Sequence, residues 1–297
     1  MVKIAKLGHT AFQTTNLEGM LSYYTEVLGL DLTERGEDGT AYLTTGIDHH
    51  DVSLHPGTEN KLEHVAFQLD SGTTLQEAAD ELRGENVAVE EETGSEPGIE
   101  EMLRIQDPEG NEIELYGSIA PGGGVSAEPG VSPRKLGHVA TLVNDPQRIA
   151  SFYQDVLGFR WSDWLEDFFV FLRCNADHHS MNFLQSPQGG RMHHVAFELN
   201  DWAHVKTALD HLAKHDFRLV WGPGRHGPGH NIFTYHRDPD DNIVELFTEL
   251  DLVLDEDLGH FDPRPWHEDN PQKPKVWQAT PVAPNDWGIL PPEGFMG

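Results

Sequence analysis

Lys135–Leu142 reads KLGHVATL, and the same opening recurs as KLGHTAF at Lys6–Phe12, KLEHVAF at Lys61–Phe67 and RMHHVAF at Arg191–Phe197. In each stretch the histidine and the residue two further on share one face of a strand. A motif repeated at 55 residues in one pair and 56 in the other decides the architecture before any single residue does. YYTEVLGLDL at Tyr23–Leu32 is answered by FYQDVLGFRW at Phe152–Trp161, while the other two units carry TLQEAADELR and HVKTALDHLAKH, with apolar residues at helical spacing. DPEGNEIELY at Asp107–Tyr116 matches DPDDNIVELF at Asp238–Phe247. The chain is therefore expected to be four copies of strand, helix and several strands, arranged as two pairs, an α+β protein.

The first pair spans 1–119 and the second 134–251. Between them Ala120–Pro133, APGGGVSAEPGVSP, reads as a linker. From 252 to 297 the repeat stops, and a stretch rich in Pro, Trp and acid is expected to form an extended arm over the body.

Composition excludes several classes. At 297 residues, 37% hydrophobic and 24% charged, the chain has the make-up of a globular protein with two ordinary cores. A formal net charge of −30 argues against nucleic-acid or anionic-membrane partners, which call for a basic footprint. It fits either a solvated acidic surface or adaptation to high salt. The apolar runs are too short to span a bilayer, the N-terminus has no signal-peptide pattern, and Cys174 is the one cysteine, so a reducing cytoplasm is the expected setting.

Superimposing the halves brings out a ligand set written twice. His138 and His194 are 56 residues apart and Glu245 follows 51 later; His9, His64 and Glu114 are spaced by 55 and 50. Two histidines and a carboxylate form the facial triad that suits non-heme Fe(II), with manganese and zinc also compatible. His179 precedes His194 by 15 residues and His50 precedes His64 by 14. Only the second half adds Gly224–Glu245, GRHGPGHNIFTYHRDPDDNIVE, in which Asp-Pro-Asp-Asp turns one strand back on another and places His226 and Tyr235 near Glu245. Arg104 stands ten before Glu114 where Tyr235 stands ten before Glu245. One active site, in the second half, is expected, and the set His9, His64 and Glu114 reads as vestigial. His230 and His236 match no role and are expected to be exposed. His178 and His193 are expected to point to the opposite face from His179 and His194.

At these residues the chain resembles the type I extradiol ring-cleaving dioxygenases, the catechol 2,3-dioxygenase group of the vicinal-oxygen-chelate superfamily. The resemblance runs from about residue 5 to 250 and is most specific at Gly224, His226, Tyr235, Asp238, Pro239 and Glu245. Thr234 and Asp241 depart from the pattern, which has a hydrophobic residue and a glycine at those places. The resemblance implies two tandem domains, each a pair of βαβββ modules forming a curved, partly open mixed sheet. It implies meta cleavage of a catechol by O2 at Fe(II), with Mn(II) as a substitute, giving a 2-hydroxymuconic semialdehyde-type product. His138, His194 and Glu245 match the metal ligands, His179 the acid–base catalyst, and His226 and Tyr235 the groups that hydrogen-bond substrate oxygens. Gly224 matches the cavity wall. Trp221 stands where the branch acting on carboxylated catechols has an arginine, so an uncharged ring substituent is expected.

The segment Asp262–Gln272 resembles arms that cover the active site in part of the family, which would place Trp266 and His267 at its mouth. A surface strap or subunit contact is the alternative. The family also implies a homo-oligomer. The competing functions are a glyoxalase-like metal-dependent isomerase or lyase and a non-catalytic ligand-binding member of the superfamily.

Overall fold

The computed structural model describes residues 1–124, 130–262, 264, 268–280 and 283–296. The first half is one sheet of β1 (Ile4–Thr14), β2 (Asp31–Arg35), β3 (Ala41–Thr44), β4 (Val52–Pro56), β5 (Lys61–Leu69), β6 (Glu90–Glu96), β7 (Ile99–Gln106) and β8 (Glu112–Tyr116), in the order β2-β3-β4-β1-β5-β8-β7-β6. The second repeats it with β9 (Lys135–Val143), β10 (Arg160–Leu165), β11 (Phe169–Arg173), β12 (Met181–Gln185), β13 (Arg191–Glu198), β14 (Leu219–Arg225), β15 (Ile232–Arg237) and β16 (Ile243–Thr248). In each, the first strands of two modules pair antiparallel at the centre, and each pairs in parallel with the last strand of its own module. The expected α+β fold of tandem mixed sheets is borne out.

Each module's crossover carries a helix. α1 (Leu17–Ser22) runs on into a π-helical turn, while α2 (Leu75–Gly84), α3 (Pro146–Asp155) and α4 (Trp202–Lys214) start at Thr74, Asp145 and Asp201, whose side chains accept the first free N–H groups. Their apolar faces cover one side of the sheets, and a single apolar core runs through both halves from Val2 to Leu246. The other side of each curved sheet is thereby left for polar side chains. Among the described residues no helix is long and apolar enough to cross a membrane.

Two details follow from backbone geometry. Asp241, in the turn between β15 and β16, has φ +68°, the left-handed conformation that Gly110 takes at the matching turn of the first half. That explains why glycine is usual there. The turn is held by Asp238, whose carboxylate accepts from Asp240 N, Asn242 N and Asn242 Nδ2, each at 2.9 Å.

The tail does more than lie over the body. β17 (Val253–Asp255) and β18 (His260–Phe261) pair with each other, and β19 (Lys275–Trp277) adds a parallel strand to the edge at β10.

The halves are joined by a buried polar contact. His236, expected at the surface, is wholly buried, and burial pushes its pKa down to about 3. The neutral imidazole accepts at Nε2 from the Tyr23 hydroxyl of the first half at 2.6 Å. Tyr23→Phe strips a buried acceptor of its donor, at a cost of about 1–3 kcal/mol. Thermal unfolding should show Tm lower by a few degrees; an unchanged Tm would mean that the contact contributes nothing.

Candidate metal centre

The site is set by strand register around one alanine. Ala196 on β13 lies opposite His138 on β9 and, on its other side, opposite Glu245 on β16. Tyr235 on β15 lies opposite Glu245, and Trp221 on β14 opposite Tyr235. Directly opposed residues share a face, so five strands place His138, Ala196, Glu245, Tyr235 and Trp221 in one row. His194, two residues before Ala196, falls on the same face. The methyl of Ala196 leaves room for its longer neighbours to converge. Gly137 is needed beneath them, because a Cβ there would stand 2.4 Å from the Phe247 ring that packs against His138.

The three polar tips meet as a near-equilateral triangle. His138 Nε2 is 3.1 Å from His194 Nε2 and 3.1 Å from Glu245 Oε2, and His194 Nε2 is 3.2 Å from Glu245 Oε2. Ligands about 2.1–2.2 Å from a divalent ion and at right angles to each other stand about 3.0–3.1 Å apart. All three residues are buried. Burial works against ionising Glu245, yet the two imidazoles beside it hold its carboxyl well below the usual range. Burial likewise depresses His194. Two neutral imidazoles and one carboxylate fit a divalent ion and leave adjacent positions open.

Outer partners orient this triangle. Glu245 Oε1 accepts from Asn231 Nδ2 at 2.9 Å, and Oε2 from the Tyr235 hydroxyl at 2.9 Å. His193, expected to face away, lies where the β13–β9 register shifts, and its Nδ1 is 2.7 Å from His194 Nδ1. Its Nε2 donates to the Phe295 carbonyl at 2.8 Å. Its Nδ1 must then accept from His194 Nδ1–H, which turns the His194 Nε2 lone pair toward the ion position.

His179 sits across the cavity, its ring 4.4 Å from that of His138. Burial and the neighbouring His138 and His178 hold its pKa well below the ordinary value. His178 also departs from expectation: residues 174–180 are turn rather than strand, so period two does not apply and its Nδ1 lies 2.9 Å from His179 Nδ1. His178 Nε2 donates to buried Asp163 at 3.1 Å, and Trp277 Nε1 donates to the same carboxylate oxygen at 2.7 Å. His230 is likewise buried, in contact with Asp251 at 2.7 Å, rather than exposed. His226 is depressed to about 4 by burial; its Nδ1 donates to the Pro284 carbonyl at 2.6 Å and its Nε2 lies 3.0 Å from the Tyr235 hydroxyl.

These groups line a cavity of about 60 Å³, walled by Leu165, Phe169, Phe171, Trp221 and, from the tail, Pro284 and Phe295. Trp221 is buried, stacked on Tyr235 with ring centroids 5.5 Å apart, and its Nε1 donates to the Ile289 carbonyl at 2.7 Å. Gly224 stands beside Asn285, whose side-chain Oδ1 accepts from Arg225 N at 3.0 Å. Trp266 and His267 lie outside the described residues; among the described residues of the tail, Ala283, Pro284, Phe295 and Met296 reach the cavity. Asn231, Asp163 and Phe295 were not anticipated. The sequence signals are the position of Asn231 fourteen residues before Glu245, inside the stretch already singled out, and that of Asp163 at the point of Glu34, two residues beyond the matched YYTEVLGLDL and FYQDVLGFRW stretches.

The first half repeats the register. His9 lies opposite Ala66, Ala66 opposite Glu114, and Arg104 opposite Glu114. His9, His64 and Glu114 are gathered together, joined by Glu96. Burial lowers His9, but Glu96 and Glu114 overcome it and raise its pKa to about 9.

A model of the Glyoxalase/Bleomycin resistance protein/Dioxygenase superfamily matches residues 6–115 and 135–246, and the chain belongs to that superfamily. It is 29% identical to a manganese-dependent 2,3-dihydroxybiphenyl 1,2-dioxygenase of Geobacillus genomosp. 3, covering 95% of this chain and 96% of that protein. It is 28% identical to a metapyrocatechase of Pseudomonas sp. (strain CF600), over 82% and 86% of the two chains. Among solved structures, the Mn(II)-bound glyoxalase from Novosphingobium aromaticivorans superimposes with a TM-score of 0.86 at 26% identity, covering 100% of this chain and 94% of that one.

Asn231→Ala frees one oxygen of Glu245 and should weaken metal binding at the His138–His194–Glu245 site about 10–100-fold. Competition titration with a chelator measures this, and undiminished affinity would remove Asn231 from the orienting set.

Proposed function

We propose that the chain is an extradiol dioxygenase that cleaves a catechol-type ring next to its two hydroxyls with O2, giving a 2-hydroxymuconic semialdehyde-type product. The observation that carries this is the His138–His194–Glu245 triangle facing an apolar cavity with His179 on one side and the His226–Tyr235 pair on the other. Fe(II) is the ion we assign, with Mn(II) as the substitute; both suit the donor set. When bound, the ion supplies adjacent positions for two substrate oxygens and O2, and a path for electrons between them.

The protein's own groups supply the proton chemistry. Asp163 fixes His178 with its proton on Nε2, so His178 Nδ1 accepts from His179 Nδ1–H. That leaves the His179 Nε2 lone pair bare as a neutral base, able to take a proton from a substrate hydroxyl and return it later. A proton arriving on His179 is spread toward His178, with the Asp163 carboxylate behind. On the other side, His226 is fixed by the Pro284 carbonyl with Nε2 as acceptor. The Tyr235 hydroxyl stands 2.9 Å from Glu245 Oε2 and 3.0 Å from His226 Nε2, so with that carboxylate oxygen engaged as a ligand it would be free to donate to His226 or to a substrate oxygen. Trp221 and Phe295 exclude water and stack against a flat ring.

Protein loaded anaerobically with Fe(II), then given catechol and air, should yield a yellow ring-fission product. Catechol binding without colour or O2 uptake would sink the reading. His179→Ala should lower kcat by about 10²–10⁴ with metal content intact. His178→Ala should lower kcat less, leaving KM and metal content unchanged.

Among the described residues no lysine or arginine lines the cavity. A buried carboxylate would lack a cation there. An uncharged catechol or alkylcatechol should therefore show a higher kcat/KM than homoprotocatechuate, and the reverse order would overturn this assignment. The alternative is a metal-dependent isomerase of the glyoxalase type, favoured by the likeness to the Mn(II)-bound glyoxalase; turnover without O2 uptake would establish it. The proposal carries a cytoplasmic setting and a homo-oligomeric assembly, on the family resemblance and the single cysteine.

A further inference from the structure

The second candidate site lies in the half expected to be silent. His9 Nε2 and His64 Nε2 are 3.2 Å apart. Glu114 Oε2 lies 3.7 Å from the first and 3.3 Å from the second. The fourth member, Glu96, ends β6 with Oε2 3.1 Å from His9 and Oε1 3.7 Å from His64. All four side chains are at most 4% exposed. The second half has no carboxylate to match Glu96; its corresponding hairpin holds His226.

Two carboxylates this deep need compensation. Both oxygens of Glu96, and Oε2 of Glu114, are buried without a well-formed hydrogen bond among the described residues. The groups nearest Glu96 Oε2 are imidazole nitrogens, His9 Nε2 at 3.1 Å and His50 Nε2 at 3.4 Å, which could serve the carboxylates as protonated partners or, for His9, as a fellow ligand of an ion. Arg104 does not supply it: its guanidinium holds Glu114 Oε1 at 2.6 Å and is shared with Glu92 at 2.6 Å and Glu112 at 3.0 Å. Arg104 instead turns Glu114 Oε2 toward the histidines, as Tyr235 and Asn231 orient Glu245. The five cited separations, 3.1–3.7 Å, with Glu96 meeting His9 through one oxygen and His64 through the other, lie around the roughly 3.3–3.4 Å edge of a tetrahedron of ligands about 2.0–2.1 Å from a central ion, and one ligand atom from each of the four residues lies within 4.8 Å of the others.

From this geometry we infer that His9, His64, Glu96 and Glu114 form a second, closed metal site that binds a divalent first-row ion, Zn(II) in preference to Mn(II). Four protein ligands at tetrahedral spacing leave no adjacent positions for two substrate oxygens and O2, and the Arg104 guanidinium stands where the catalytic half has the Tyr235 hydroxyl. The site is therefore structural, tying β1, β5, β6 and β8 together. The ligand set also accounts for Glu96, which the repeat does not explain. Four ligands, against three in the second half, also give it the higher affinity for ions that prefer four-coordination. The inference is independent of the proposed reaction, since its readouts are metal content and stability.

The test is metal content of the full chain after incubation with Zn(II) and dialysis, compared among wild type, Glu245→Ala, Glu96→Gln and the double variant. Two ions per chain in the wild type, one in each single variant and none in the double variant are expected. Glu96→Gln is close in shape and should leave ring cleavage within about twofold. Zinc should raise Tm in Glu245→Ala and not in the double variant. One ion per chain in the wild type together with none in Glu245→Ala would overturn the inference, as would a second ion that survives Glu96→Gln. If Glu96→Gln fails to fold, anomalous scattering at the zinc edge from wild-type crystals decides: a peak among the four side chains supports the site, and its absence refutes it.

Discussion

The pairing of β9, β13 and β16 across Ala196 is the constraint on which the rest depends. A one-residue slip of β13 against either neighbour would move His194 and Ala196 to the helix-covered face and bury imidazole in apolar core. The register is held from that face by the apolar side chains that alternate with the ligands, among them Val195, Phe197, Val244 and Leu246 in the main core. The core therefore does not merely support the site. The same alternation that buries Val195 and Phe197 is what presents His194 and Ala196 on the opposite face.

What the register cannot do is choose protonation states. That falls to contacts between adjacent histidines. His193–His194 and His178–His179 each meet through Nδ1 at 2.7 and 2.9 Å, and His49–His50 does so at 3.1 Å in the first half. In each pair with a known outer acceptor the outer ring gives its Nε2 proton to oxygen, Phe295 O or Asp163 Oδ2, and the inner ring then shows a bare Nε2 to the cavity. Phe295 lies 102 residues along the chain from His193, and Trp277 of the tail donates to the Asp163 oxygen that His178 meets, so folding of the tail and setting of the inner imidazoles are linked. Phe295 belongs both to the cavity wall and to this chain of hydrogen bonds, which couples closure of the cavity to the orientation of a metal ligand.

The repeat made most of this legible in advance. Four strand openings and two Asp-Pro turns located the sheets, and matched spacings located both His/His/Glu sets. The difference between Tyr235 and Arg104 singled out one half for the proposed chemistry. The repeat also limited the reading. Glu96 and Asn231 have no partner at a matching point in the other half, so comparing halves could not expose them, whereas Asp163 falls at the point of Glu34, which lies 3.5 Å from His49 as Asp163 lies 3.1 Å from His178. His178 and His193 were assigned by period two, which fails in a turn and at a register shift. His230 and His236 were placed at the surface for want of a role, whereas burial against Asp251 and Tyr23 gives each a packing role. Pro284 and Phe295 reach the cavity from a tail without periodicity, and in such a segment sequence cannot say which residues turn inward.

On the proposed reading of the two halves, little separates a site that holds a metal from one arranged to use it. Both gather two imidazoles and a glutamate on the same three strands about the same alanine, with a further histidine 4.3–4.4 Å from the first. They diverge at the residue opposite the glutamate. Tyrosine offers one neutral proton that can move between Glu245 and His226, so it can respond when a ligand changes the demand on that carboxylate. Arginine offers a permanent charge fixed by three carboxylates, and it cannot exchange a proton at any working pH. Adding Glu96 then fills the space that the second half keeps open. Duplication supplied one ligand geometry, and the identity of a single β-sheet neighbour sets whether the carboxylate is held still or left free to take part in chemistry.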